Sequence, residues 1–130
     1  MAALATWHVA HDPARSAAAG AVIPAHARLE TYSVLTRMPP PHRLMPVLVA
    51  ELLDRWFPPD RILVPPPRLS RGVVRQCSEV GIGGGAVYDA VVGLTAAEAR
   101  VTLLTGDTRA ARTYRRLGID FDLMPSPRAT

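Results

Sequence analysis

The sequence predicts an α/β sandwich around a mainly parallel sheet. Short apolar runs alternate with longer amphipathic segments along the whole chain, the pattern of strands joined by crossover helices. Proline clusters and glycines fall at the junctions, where chain breakers punctuate elements. The chain has 130 residues, 48% hydrophobic and 20% charged, enough for one core but not two.

Asp12-Pro13 is a helix-start signal, with Asp as N-cap and Pro at the first helical position. A helix over Pro13–Ala19 would stop at Gly20. Ala21–Pro24 reads as a short buried strand. Ala25–Arg37 turns helical, with Leu29, Ser33 and Thr36 along one side, and ends at Met38-Pro39-Pro40-Pro41. Pro46–Phe57 is the clearest amphipathic helix, carrying Val47, Leu48, Leu52, Leu53, Trp56 and Phe57. Arg61–Pro65 reads as a strand, Leu69–Val80 as a helix and Gly81–Gly85 as a connector. Ala86–Ala99 is a strong helix and Val101–Thr105 a buried strand. Gly106-Asp107 turns the chain into a helix over Thr108–Leu117, which Gly118 caps. Ile119–Leu123 makes a final strand, and residues 125–130 are expected to be a disordered tail.

Composition removes several classes of function. No apolar run approaches the roughly 20 residues that span a bilayer. One cysteine, Cys77, rules out an intrachain disulfide framework and a Cys-rich zinc site. The N-terminus has no basic stretch of the secretory type, so the expected compartment is the cytoplasm. The net charge is +4 and every basic residue is Arg. That permits a nucleic-acid partner, although Arg-rich, Lys-free chains also arise from GC-rich coding.

Three carboxylates stand out by position. Asp107 follows a buried strand and precedes a helix, the end of an open α/β sheet where ligands bind; it also suits a helix cap. Thr105 lies two residues before it. Asp89 sits in the first turn of an otherwise apolar helix. The macrodipole favours it there, but a half-buried carboxylate calls for a partner. Glu30 lies early in the helix after the strand Ala21–Pro24 and could pair with Arg28 or Arg37. All three would come to one end of the sheet. Clustered oxygen ligands of this kind hold Mg²⁺ or Mn²⁺, which can activate water for phosphodiester attack.

Other features carry less. The Gly81–Gly85 loop lacks the Gly-Lys-Ser/Thr of a P-loop and follows a helix rather than a strand, so it reads as a connector, with nucleotide binding a remote third reading. Arg109, Arg112, Arg115 and Arg116 crowd the helix after Asp107, and Arg68, Arg71 and Arg75 recur at helical spacing. Both sets suit phosphate contacts or a plain solvated face. His8, His11, His26 and His42 show no zinc-like spacing. Trp7, Trp56 and Phe57 are expected in the core or a partner groove.

Residues 23–37, 84–92 and 103–107, followed by Leu117-Gly118-Ile119-Asp120-Phe121, resemble in order and spacing the second-acid, third-acid, Thr-x-Asp and last-strand segments of PIN-domain ribonucleases. These include the VapC toxins of bacterial VapBC toxin–antitoxin pairs. The resemblance implies a three-layer α/β/α sandwich over residues 1–124. It implies metal-dependent RNA hydrolysis with Glu30, Asp89 and Asp107 as metal-binding acids, Thr105 as a supporting residue, and Arg109 and Arg112 on RNA. It further implies Mg²⁺ or Mn²⁺ as cofactor, a cognate antitoxin and a homodimer.

The departure from the family concerns its first acid, an Asp ending an N-terminal strand at the centre of the sheet. No such strand precedes Ala2-Ala3-Leu4-Ala5, and Asp12 sits in a cap context, so that role is not transferred to it. A PIN-like domain without that strand would leave two neighbouring strands with unpaired edges. The expectation is a natural start further upstream. The rival is a catalytically impaired remnant that only binds an antitoxin or another copy of itself.

Overall fold

The protein was analysed as a computed structural model that describes residues 21–123. The expected helix over Pro13–Ala19 and the expected tail over 125–130 lie outside these residues. Strand β1 (Ile23–Pro24) runs straight into helix α1 (Ala25–Arg37). Helix α2 (Pro46–Trp56) follows the proline-rich turn and starts on its own Pro. A short 3-10 turn (Pro59–Arg61) leads into β2 (Ile62–Leu63). Helices α3 (Pro67–Glu79) and α4 (Ala86–Glu98) flank the Gly-rich loop. Strand β3 (Leu103–Thr105), helix α5 (Thr108–Leu117) and strand β4 (Phe121–Leu123) complete a βαβ unit.

The strand pairing is parallel, as expected for crossover connections. β1 pairs with β2 in the register Ile23↔Ile62 and Pro24↔Leu63. β3 pairs with β4 in the register Leu103↔Phe121, Leu104↔Asp122 and Thr105↔Leu123. Among the described residues these remain two separate two-stranded ladders rather than one continuous sheet. Helix α4 links them: it packs on α1, α3 and α5 and touches both β1 and β3.

One core cluster lies between the ladders and the helices, with Ile23, Phe57, Leu103 and Tyr114 all but sealed from solvent. A second, smaller cluster joins α3 to α4 through Val73, Cys77, Ile82 and Ala90. Gly93 makes the close seating of α5 on α4 possible. A Cβ there would stand 2.7 Å from Ile119 Cδ1 and 2.8 Å from the Tyr114 ring, too near for any side chain without movement.

The strands are shorter than the apolar runs that announced them. Ala21, Val22, Val101 and Thr102 lie outside any ladder, because a buried apolar run need not be hydrogen-bonded as a strand. α3 begins two residues earlier than expected, on Pro67, since Pro suits the first helical turn. The side of α1 expected to carry Leu29 is not the buried one. Leu29 is 64% exposed, and Ala27 and Thr31 face the core instead. Val47 and Leu48 on α2 are also exposed, with Val49 and Leu53 buried in their place.

Gly118 ends α5 in the left-handed region at φ 69°, and the amides of Gly118 and Ile119 close back on the last helical turn. Replacing it with Ala forces a Cβ into that conformation. The expected cost is about 1 kcal/mol. A thermal melt of Gly118→Ala checks it, with a midpoint about 4 °C lower.

Candidate active site

Each carboxylate reaches the site from a different element. Glu30 projects from the second turn of α1 and Asp89 from the first turn of α4. Asp107 is the N-cap of α5. Its Oδ1 accepts from the amides of Arg109 at 2.8 Å and Ala110 at 3.3 Å, so the cap reading of the sequence is correct. The cap uses one oxygen, which leaves Oδ2 for other work. The Asp107 amide in turn donates to Thr105 Oγ1 at 3.1 Å. Thr105 is fully buried, so β3 fixes where the turn and its acid sit.

The three acids share one electrostatic field. Burial pushes Asp89 from an ordinary 3.8 up to about 6, with added repulsion from Glu30 and Asp107 and partial relief from His26 and Arg109. Burial also raises Glu30, and the Asp107 charge raises it further. Glu30 Oε1 is a buried oxygen with no hydrogen-bond donor. Proximity of like charges in a half-buried setting is costly to the fold, and such an arrangement makes the cluster a candidate functional site.

The flanking charges differ from the sequence reading. Arg28 turns away from Glu30 to pair with Asp54 at 2.6 Å. His26, given little weight in the sequence, sits with Nε2 3.9 Å from Glu30 Oε2. Their i, i+4 spacing on one helix was the available signal. The His26 ring also stacks on Tyr88, with centroids 5.3 Å apart and an interplanar angle of 4°. Burial lowers the His26 pKa and the Asp89 charge opposes that.

The arginines divide into different roles. Arg115 lies over the Phe121 ring, its Cζ 5.3 Å from the centroid. Arg116 donates to the carbonyls of Gly81 at 3.1 Å and Val80 at 3.4 Å, tying the Gly-rich loop to α5. Arg68 pairs with Glu98. Arg109 and Arg112 are exposed and pair with no carboxylate among the described residues. With Gly81, Gly83 and Arg116 they line an open cavity of ≈ 300 Å³. The loop is thus a connector braced by Arg116, as its sequence suggests, and also one wall of a basic hollow.

The order of these elements, with acids on α1, α4 and the start of α5, agrees with a match of the PIN domain to residues 1–116. The chain belongs to the PIN-domain family. This PIN domain is 45% identical over 126 residues to ribonuclease VapC40 of Mycobacterium tuberculosis (strain ATCC 25618 / H37Rv), covering 95% of the chain and 92% of that protein. It is 46% identical over 94 residues to ribonuclease VapC27 of the same strain, covering 72% of the chain and 67% of that relative. No solved structure shows a significant match. The α/β fold with short parallel strands is the one expected of a PIN domain. Among the described residues of this PIN domain no helix is long and apolar enough to cross a membrane.

Proposed function

We propose that this PIN domain is a metal-dependent endoribonuclease of the VapC toxin type. It hydrolyses RNA phosphodiesters with metal-activated water. The observation that carries this is the convergence of Glu30, Asp89 and Asp107, from separate elements, into one mutually repelling cluster with Asp89 raised to about 6. VapC40 and VapC27 are both named ribonucleases, which supports the same activity here.

The donor chemistry fits a hard divalent cation. All three candidates are carboxylates, and the buried Glu30 Oε1 has no donor of its own. Among the described residues no three His, Cys, Asp or Glu side chains already stand close enough to enclose an ion, so ligation would require them to draw together. Mg²⁺ or Mn²⁺, when bound, supplies the positive charge that offsets this crowding, polarises a phosphoryl oxygen and activates water. Glu30, Asp89 and Asp107 would hold it. Thr105 positions Asp107 through the amide contact, and Arg109 and Arg112 bind RNA phosphates through exposed guanidinium forks.

In this reading a single PIN-like domain spans residues 1–124 with a tail at 125–130. It works in the cytoplasm as a homodimer and is neutralised by a cognate antitoxin protein. The test is cleavage of end-labelled RNA by the purified chain with Mg²⁺ or Mn²⁺, then after chelation. Cleavage with metal and none with chelator is expected. Cleavage that persists in chelator overturns the metal role. Failure to cleave with either metal, in a folded chain that still binds its antitoxin, favours the impaired remnant.

A further inference from the structure

Tyr88 has no role in the chemistry above, yet its placement is unusual. It immediately precedes Asp89 in the first turn of α4. One face of its ring lies on the His26 imidazole at 5.3 Å and 4°, and His26 in turn neighbours Glu30. Even so, Tyr88 remains 53% exposed. His26 covers one face of the ring, and more than half of the residue's surface stays open to solvent.

An exposed aromatic face held rigid by a second ring, beside a carboxylate cluster, is a stacking surface. We infer that the Tyr88–His26 stack is a platform for one RNA base next to the scissile phosphodiester. The inference rests on the ribonuclease reading and adds to it a contact with a base rather than with phosphate. Stacking accepts any base, because every base has a π-face. His26 acts as a positioning residue: it holds the Tyr88 ring in one plane, and the free face receives the nucleotide.

The experiment uses the Asp89→Asn chain, in which cleavage is expected to be slow enough for binding to be read, and a single-stranded oligoribonucleotide carrying a fluorescent purine analogue. An abasic site is moved along the oligonucleotide. The expected result is one position where the abasic site weakens binding about tenfold. That sensitivity disappears when Tyr88→Leu is added and persists with Tyr88→Phe or Tyr88→Trp. Stacking should also quench the analogue at that position in the chain with Tyr88 and not in Tyr88→Leu. In the active background, Tyr88→Leu should raise KM about tenfold, with kcat and melting temperature near those of the parent. Tyr88→Leu that cleaves and binds like the parent overturns the platform and leaves the ribonuclease reading intact. A Tyr88→Leu defect that follows a fall in melting temperature assigns the stack to folding and also overturns it. A parent chain that neither binds nor cleaves RNA overturns both.

Discussion

Asp89→Asn should leave RNA cleavage at least about 100-fold below the parent, since even the residues that support a metal ligand cost 10- to 100-fold when changed. The same substitution should make the metal-free protein more stable. Asp89 carries a raised pKa, through burial first and then through Glu30 and Asp107. Asparagine keeps the shape and removes the charge. The gain is about 1 kcal/mol once solvent screening of a half-buried group is allowed for.

Its pH dependence has a definite sign. The folded form of Asp89 titrates at about 6 and its ordinary value is 3.8. Between those values the folded chain holds a proton that the unfolded chain has released. The favourable contribution of the protonated form is therefore complete below about 4 and lost as pH rises through about 6. Melts of the chelator-treated parent should fall in midpoint across that window, and Asp89→Asn should flatten this part of the profile. An unchanged slope would show that Asp89 is not the group that titrates.

Tyr114→Ala should have the largest effect on stability. Tyr114 is 1% exposed, stacks obliquely on Phe121 with centroids 5.7 Å apart, and fills the notch left by Gly93. Truncating a large buried aromatic costs about 3–5 kcal/mol. For a domain of this size that lowers the melting midpoint by at least about 10 °C. Tyr114→Phe keeps the ring and the contact with Gly93, so it should avoid most of that loss. A small shift in Tyr114→Ala would mean that α4 and α5 close over the gap.

How much of this was legible in the sequence depends on which forces decide each feature. The limits of α1 and α5 could be read because local chemistry sets them: a Pro-rich stop for one, an Asp cap and a Gly stop for the other. The strand limits could not. Val101 and Thr102 are no less strand-like than Leu103, and only pairing with β4 separates them. The acids were legible because each sits at the start of a helix or just inside it, a pattern visible in one dimension. Their mutual repulsion was not, since it depends on how α1 and α5 seat against α4. Nor were the partners of Arg28 and Arg116, which lie 26 and 35 residues away in the chain. His26 does not stand out in the sequence, because its spacing from the other histidines suits no metal site. Its position one turn from Glu30 and its ring contact with Tyr88 are what give it significance.

The separation of the two ladders bears on how the acids keep their spacing. Glu30 follows one ladder, Asp107 follows the other, and Asp89 rides on the helix between them. Among the described residues no strand-to-strand hydrogen bond fixes the first against the second. Among the described residues the acids are aligned by the packing of α4 against α1 and α5, closest at Gly93, where an added Cβ would meet Tyr114 and Ile119. Like a mortise joint, this seating holds its angle through the shape of the parts.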